Sequence, residues 1–344
     1  MTVSSMSIEK RPKLDESLSD NHIKEGDSAV ILLSSNDFRY IFIKSEAFTT
    51  TQFGKLEFKD LIGKRYGVKI ELKKGFIRII KLNPRIWSKV ILHKTQIIYP
   101  TDCSFIVTQL DLKPGKVVFE AGTGSASLTH FLIHAVKPSG KVITSEFHSD
   151  RAQLAQKDLD EHNLTKYVIV NHRDVINEGL PSILDENGGE YLADAVILDM
   201  PSPCNVIMNL DAKFHPDRLC RICVFLPCIE QVQKASSIMR ENNYCDIETY
   251  EVLLRNHKVS KAQLGVPNMG QGSLEFTQDS FNLGYIDGCQ LGSFPHLESQ
   301  FTIPGNEKTA FLNMVEPEKK MPGHTGFLTF GTKLPQSKKS LIKF

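Results

Sequence analysis

Residues 116–128, KVVFEAGTGSASL, limit what this chain can fold into more than any other stretch. An apolar strand pattern, Lys116–Glu120, runs into Gly122 and Gly124 and then into a helical stripe. Leu128, Phe131, Leu132 and Ala135 recur at i, i+3, i+4 and i+7, which is one face of a helix. A strand that turns on glycines into a helix is how an α/β sheet begins, and that first turn faces the ligand crevice. The alternation then continues. Strands are predicted at Val142–Glu146, Tyr167–Asn171, Ala193–Met200 and Arg221–Leu226, with Ile247–Leu254 and Gly326–Thr332 as the last two. Helical stripes lie between them: Ala152, Ala155 and Leu159, with Ser149 as N-cap, and then Ile229, Val232, Ser236 and Met239. Strands joined by helical crossovers imply a parallel sheet covered on both faces.

The flanking segments read differently. Residues 1–25 are polar and are expected to be a disordered tail. Residues 26–98 carry short β patterns at Ala29–Leu33, Tyr40–Ile43, Val68–Leu72 and Phe76–Leu82, punctuated by glycines and without a helical period. This stretch is expected to be a small N-terminal β domain. The α/β domain then spans 99–333, and within it residues 258–310, rich in Gly, Ser, Asn and Gln, read as a long insertion or linker. Residues 334–344 form a basic tail.

Composition narrows the class. The chain has 344 residues, enough for two domains, and no apolar run long enough to span a bilayer. The first residues lack an apolar h-region, so no export signal is expected. Seven cysteines without such a signal read as reduced thiols of an intracellular protein. Cys220 and Cys223 have the spacing of half a zinc site, but no second ligand pair follows at finger distance, so no metal is expected. The formal net charge is only +1. If the substrate is a nucleic acid, either the basic residues cluster on one face or another subunit supplies them.

The glycine loop discriminates between cofactors. A dinucleotide loop reads G-x-G-x-x-G, and here Ser127 takes the third glycine position. Glu120 ends the preceding strand, and a carboxylate there repels a pyrophosphate at the helix N-terminus. It suits S-adenosylmethionine, whose ammonium and sulfonium groups are cationic. Glu146 ends the second strand, roughly 20 residues past the glycines, at the spacing where an acid bonds ribose hydroxyls. Asp174 follows the third strand, placed to accept from an adenine amino group. Each of these acids alone reads equally well as a helix cap; their succession at three strand ends favours a site.

Asp199 ends the fourth strand, in Asp199-Met200-Pro201-Ser202-Pro203. This Asp-x-Pro-x-Pro run resembles the strand-four motif of methyltransferases acting on amino and ring nitrogens of nucleic acids. Adenine N1 is a neutral nucleophile at pH 7 and needs no strong base. A carboxylate accepting from the exocyclic amine orients the ring and stabilises the charge that develops on it.

Several segments together are similar to one family: Glu120–Ser127 (EAGTGSAS), Thr144–His148 (TSEFH), Asp199–Pro203 (DMPSP), Pro227–Lys234 (PCIEQVQK), His324–Phe330 (HTGFLTF) and Gln96–Asp102 (QIIYPTD). They resemble the catalytic subunits of the eukaryotic tRNA adenine-58 N1-methyltransferase, which have a seven-stranded, Rossmann-like class I methyltransferase sheet. The resemblance covers about residues 26–258 and 322–333. It implies donor contacts from Ser125, Ala126 and Ser127, with Glu146 on the ribose and Asp174 and Val175 at the adenine, beside the Gly122, Gly124 and Glu120 that the loop pattern itself marks. Ile98 and Arg151 match lesser contact positions, and Asp199 is implied as the catalytic residue that also touches the donor. It further implies a nuclear heterotetramer, two catalytic subunits with two non-catalytic tRNA-binding subunits, and no membrane. Similar sites in mRNA stay open as substrates. The chain departs from the family at Ala126, where glycine is usual, at Cys204, where Trp is usual, and at His215–Cys220, which replaces a Gly-Gly turn. Two rival readings follow. One is a catalytically silent RNA-binding subunit, which is expected to have lost the loop or Asp199. The other is a methyltransferase with a protein or small-molecule target.

Overall fold

The computed structural model describes residues 21–34, 37–91, 95–265, 309–319 and 323–335. It falls into two units, Met1–Val252 with His324–Phe344, and Leu253–Gly323.

The first unit opens with strands β1 (Ser28–Ser34) and β2 (Asp37–Phe42), a hairpin of β3 (Phe48–Thr51) and β4 (Gly54–Glu57), and then β5 (Lys69–Leu72) and β6 (Gly75–Lys81). β1, β2, β5 and β6 form an antiparallel sheet in the order β2-β1-β6-β5. Alternation makes it two-sided: Ile77 and Ile79 of β6 are buried, while Phe76 and Arg78 between them point outward. Ile31, Ile70, Leu56 and Phe58 complete the small core. The layer begins before residue 26. Ile23 is 1% exposed in that core, and the Asn21 carbonyl accepts from the Tyr66 amide at 2.9 Å, so residues 21–25 belong to the β layer rather than to a tail. Residues 1–20 lie outside the described residues, as do 336–344 of the expected C-terminal tail.

A helix also forms where no helical period was visible. α1 (Pro84–Val90) starts with Pro84 at its first position, and the Asn83 side chain caps it by accepting from the Ile86 amide at 2.9 Å. Seven residues are too few to display a period. α1 docks the β layer onto the second layer of the unit: the Trp87 ring lies 4.5 Å from His162 and 5.7 Å from Tyr40. The Tyr40 hydroxyl donates to Glu161 at 3.2 Å.

Next come α2 (Pro100–Gln109), β7 (Val117–Ala121), α3 (Ser127–Val136), β8 (Lys141–Glu146), α4 (Ser149–Glu161), β9 (Val168–His172), α5 (Val175–Glu178), β10 (Ala195–Leu198), α6 (Cys204–Met208), β11 (Cys220–Leu226), α7 (Ile229–Glu241) and β12 (Tyr244–Glu251). The expected N-cap of α4 moves by one: His148 holds that position and Ser149 is the first helical residue. The sheet has seven strands in the order β12-β15-β11-β10-β7-β8-β9, where β15 is Phe327–Lys333. The pairs from β11 through β10, β7 and β8 to β9 are parallel, and β15 runs antiparallel to both neighbours. Both faces are covered. Phe119, Ile143, Val196 and Ile222 enter one core with Val232, Ala235 and Met239 of α7. Val118, Val142, Ile197 and Cys223 enter the other with Leu128, Leu132 and Ile133 of α3. Each such buried aliphatic or aromatic side chain stabilises the fold by about 1.5–3 kcal/mol.

In the second unit, β13 (His257–Gly265) pairs antiparallel with β14 (Thr309–Pro317), from His257 opposite Pro317 to Gly265 opposite Thr309. The ends of the expected 258–310 linker are therefore a β-ladder, and residues 266–308 lie outside the described residues. Among the described side chains of these strands none is buried, and Val259 is 68% exposed and Val315 64%, so no apolar alternation is imposed there.

Candidate active site at the switch point of the sheet

Strand order reverses at β7. The chain leaves it for β8 and β9 on one side and returns to β10 on the other, which opens a crevice beyond the carboxyl ends of β7 and β10. Gly122 and Asp199 face each other across it. The Asp199 amide donates to the Ala121 carbonyl at 2.9 Å, and the Gly122 amide to the Ser145 carbonyl at 2.9 Å. Gly122 has φ +99°, and a Cβ there would sit 2.0 Å from the Asp199 carbonyl oxygen. Gly124, at φ +54°, has the Thr95 hydroxyl 3.0 Å from where its Cβ would be. Both positions need glycine because the loop touches backbone or side chain on the side where Cβ would project.

A cavity of about 480 Å³ lies in this crevice. Of the residues expected at the donor site, Gly122, Gly124, Glu146, Arg151, Asp174, Val175 and Asp199 line it. Glu146 braces the loop: its carboxylate accepts from the Gly124 amide at 2.8 Å and the His148 amide at 3.0 Å, and Arg151 Nε lies 3.2 Å away. Asp174 caps α5, accepting from the Ile176 amide at 3.0 Å and from Asn177 Nδ2 at 2.7 Å. Asp199 is half-buried, and its carboxyl is pushed up to about 7 by burial and by the negative charge of Glu146.

The remaining expected residues are used elsewhere. Glu120 does not line the cavity; it lies in the interior, 1% exposed, accepting from Thr129 Oγ1 at 2.7 Å. Burial raises it to about 7, with hydrogen bonds from Thr144 and Thr129 opposing and the charges of Asp199 and Glu146 adding to the rise. The Ile98 side chain is in the core and its carbonyl accepts from Ser127 Oγ at 3.3 Å, so neither of these side chains reaches the cavity. Ser125 shares a hydrogen bond of 3.1 Å with Thr95. Ala126 is the left-handed N-cap of α3, fully buried at φ +57°. These four residues shape the loop rather than line the cavity.

Other lining residues were not singled out from the sequence. Thr95 and Gln96 arrive from a loop upstream of α2; Gln96 opens the QIIYPTD segment, while nothing local marks Thr95. Phe147, 60% exposed, lies beside Glu146 with its ring edge-to-face with His148 at 5.1 Å between centroids. Ser145 is 2% exposed, and its Oγ has no hydrogen-bond partner. An orphaned hydroxyl at the wall, a glycine cradle and three acids, Glu146, Asp174 and Asp199, fit a ligand that is cationic at one end and polar along its length.

A doubly wound, seven-stranded sheet with this strand order is the class I methyltransferase fold. Two solved structures share that fold: a SAM-dependent O-methyltransferase from Thermotoga maritima and the tRNA (m1A58) methyltransferase TrmI from Aquifex aeolicus. The first has TM-score 0.65 and 23% identity, covering 91% of this chain and 95% of that one. The second has TM-score 0.61 and 24% identity, covering 91% and 99%. The model of the tRNA methyltransferase complex GCD14 subunit family matches residues 75–333. Among curated relatives, the tRNA (adenine(58)-N(1))-methyltransferase catalytic subunit TRM61 of Candida albicans is 34% identical, with 92% of this chain and 98% of that protein covered. The corresponding subunit of Dictyostelium discoideum is 33% identical, with the same coverages of 92% and 98%. The chain belongs to the tRNA methyltransferase complex GCD14 subunit family.

Proposed function

We propose that this chain is the catalytic subunit of a tRNA methyltransferase that transfers a methyl group from S-adenosylmethionine to N1 of adenine 58 in the T-loop. The observation that carries this reading is Asp199, a half-buried acid at the switch point that lines the same cavity as the glycine loop and Pro201. When bound, S-adenosylmethionine supplies an electrophilic methyl group on a sulfonium. Gly122 and Gly124 let the backbone approach it, and Glu146 and Asp174 offer lone pairs to the ribose hydroxyls and the adenine amine. Ser145 Oγ supplies a further partner, and Phe147 a face for stacking. Glu120, beneath, contributes to the negative field that favours a cation.

Asp199 accepts a hydrogen bond from the exocyclic amine of the target adenine. It would orient the ring toward the donor and stabilise the positive charge that the ring acquires on methylation. The proline-bounded loop after Asp199 fixes the direction of that carboxylate. An adenine held inside folded RNA has to be turned out of its stack to reach it. We place the chain in a nuclear heterotetramer, two copies with two non-catalytic tRNA-binding subunits, on the strength of the family resemblance. No described helix is long and apolar enough to cross a membrane.

The test is Asp199→Ala. Methylation of tRNA is expected to fall at least about 100-fold in kcat measured at saturating donor. Full activity in this variant would remove Asp199 from the mechanism.

A further inference from the structure

Charge is segregated along this chain. Residues 21–98 carry 15 Lys and Arg against 7 Asp and Glu, while the rest of the chain carries 26 against 33. A molecule of net charge +1 thus holds a surplus of eight positive charges in residues 21–98, which comprise the β layer, α1 and the segment after it.

Strand register places part of that surplus on one face. Leu32 of β1 pairs with Phe38 of β2 and with Arg78 of β6, and Arg78 pairs with Lys69 of β5, so these four side chains form one row across the whole sheet. Phe76, two residues before Arg78, lies on the same face and is 45% exposed. Cations sit on both aromatic rings: Lys69 lies 4.6 Å and Arg78 5.5 Å from the Phe76 ring, and Lys89 of α1 lies 4.8 Å from the Phe38 ring. The acid on this stretch, Glu71, is paired with Lys69 at 2.6 Å.

The row leads to the donor loop. Phe38 lines a second cavity of about 480 Å³ together with Arg39 and Trp87, and its far wall includes Gly124 and Arg151. Those two residues also line the first cavity.

We propose that this basic, aromatic face of the β layer is an RNA-binding track that delivers the substrate strand to the methyl-donor site. Phe76, exposed, and Phe38, half-buried, are interleaved with Lys and Arg, a composition that binds nucleic acid through phosphate neutralisation and base stacking without reading sequence. The inference rests on the proposed tRNA substrate and adds which surface of this chain holds it. It adds clustering of basic residues on this chain to the partner subunit as a source of the charge that holds RNA.

The test uses the full chain, purified with the subunit it assembles with, carrying Arg78→Gln and Lys89→Gln together. Binding of a labelled tRNA transcript is followed by fluorescence anisotropy between about 50 and 200 mM salt. The double variant is expected to bind several-fold more weakly, with the slope of log affinity against log salt flattened by about 1.5, as for two lost phosphate contacts. KM for tRNA rises, while kcat at saturating tRNA and the donor Kd stay unchanged. Arg78→Lys with Lys89→Arg restores the wild-type slope, which loss of folding would not permit. Equal affinity and slope in wild type and double variant, or no RNA binding by the wild type, overturns the proposal. So does loss of the co-purifying subunit with RNA affinity intact, which would make the face a protein interface. If the wild type binds RNA through this face but methylates no adenine, the functional reading fails and the track stands.

Discussion

Asp199 and Glu120 are both pushed up to about 7, burial being the first cause in each, so near neutral pH each is poised between acid and carboxylate. Without ligand the shift favours the protonated forms: the stability they contribute is full below the ordinary carboxyl range and is lost as pH rises through about 7. A bound cation reverses the preference by stabilising the ionised forms. Donor affinity is therefore expected to weaken as pH falls from about 8 to about 6, approaching tenfold per unit for each proton released. Calorimetry in two buffers of different ionisation enthalpy measures that release, and a flat affinity with no proton released would contradict the assignment. Gly122→Ala tests the loop. The new methyl meets the Asp199 carbonyl at 2.0 Å in a left-handed backbone, so donor binding is expected to be lost and stability to fall by roughly 2–4 kcal/mol on thermal unfolding. Glu146, Asp174 and Asp199, which line the cavity, were legible in the sequence because each follows an apolar strand, whereas Glu120, expected beside them, turns into the interior. The hydroxyls were not: Ser125 and Ser127 look like ligands in a string of letters, yet Thr95 and the Ile98 carbonyl claim them. Ser145, hidden inside the strand pattern, is the one left without a partner.

At the scale of elements, Asp194 does for the amino edge of the sheet what Glu146 does for the carboxyl edge. It precedes β10, and its carboxylate accepts from the Val117 amide at 3.0 Å, Lys116 Nζ at 2.9 Å and Arg218 at 3.3 Å. Burial raises its pKa, but the Val117 amide and Lys116 outweigh that, and the carboxyl is held below its usual range. Asp194→Ala leaves a buried amide and an ammonium without their partner. It is expected to cost about 2–4 kcal/mol in denaturant unfolding, with kcat per folded molecule unchanged; a loss below about 0.5 kcal/mol would show that these strands are held by packing alone. The parallel strands announced themselves because burial on both faces makes them continuous apolar runs, as in Val196-Ile197-Leu198. The β13–β14 ladder did not, because its described side chains are not buried and allow any residue, and α1 did not, because it spans fewer than two helical repeats.

For the whole molecule, the same separation of roles recurs. The seven-stranded sheet is acidic at its crevice and suits a cationic donor. The β layer is basic and suits a polyanionic substrate, and the second cavity adjoins both. That arrangement accounts for a nucleic-acid enzyme whose total charge is nearly zero, which composition alone could not settle. The most direct measurement incubates the full chain, with the subunit that co-purifies with it, with unmodified tRNA transcript and methyl-labelled S-adenosylmethionine, and then maps the label by nucleoside mass spectrometry and reverse-transcription arrest. The account predicts 1-methyladenosine at position 58, absent with Asp199→Ala. Label on another atom or another base, or none on tRNA at all, would contradict it.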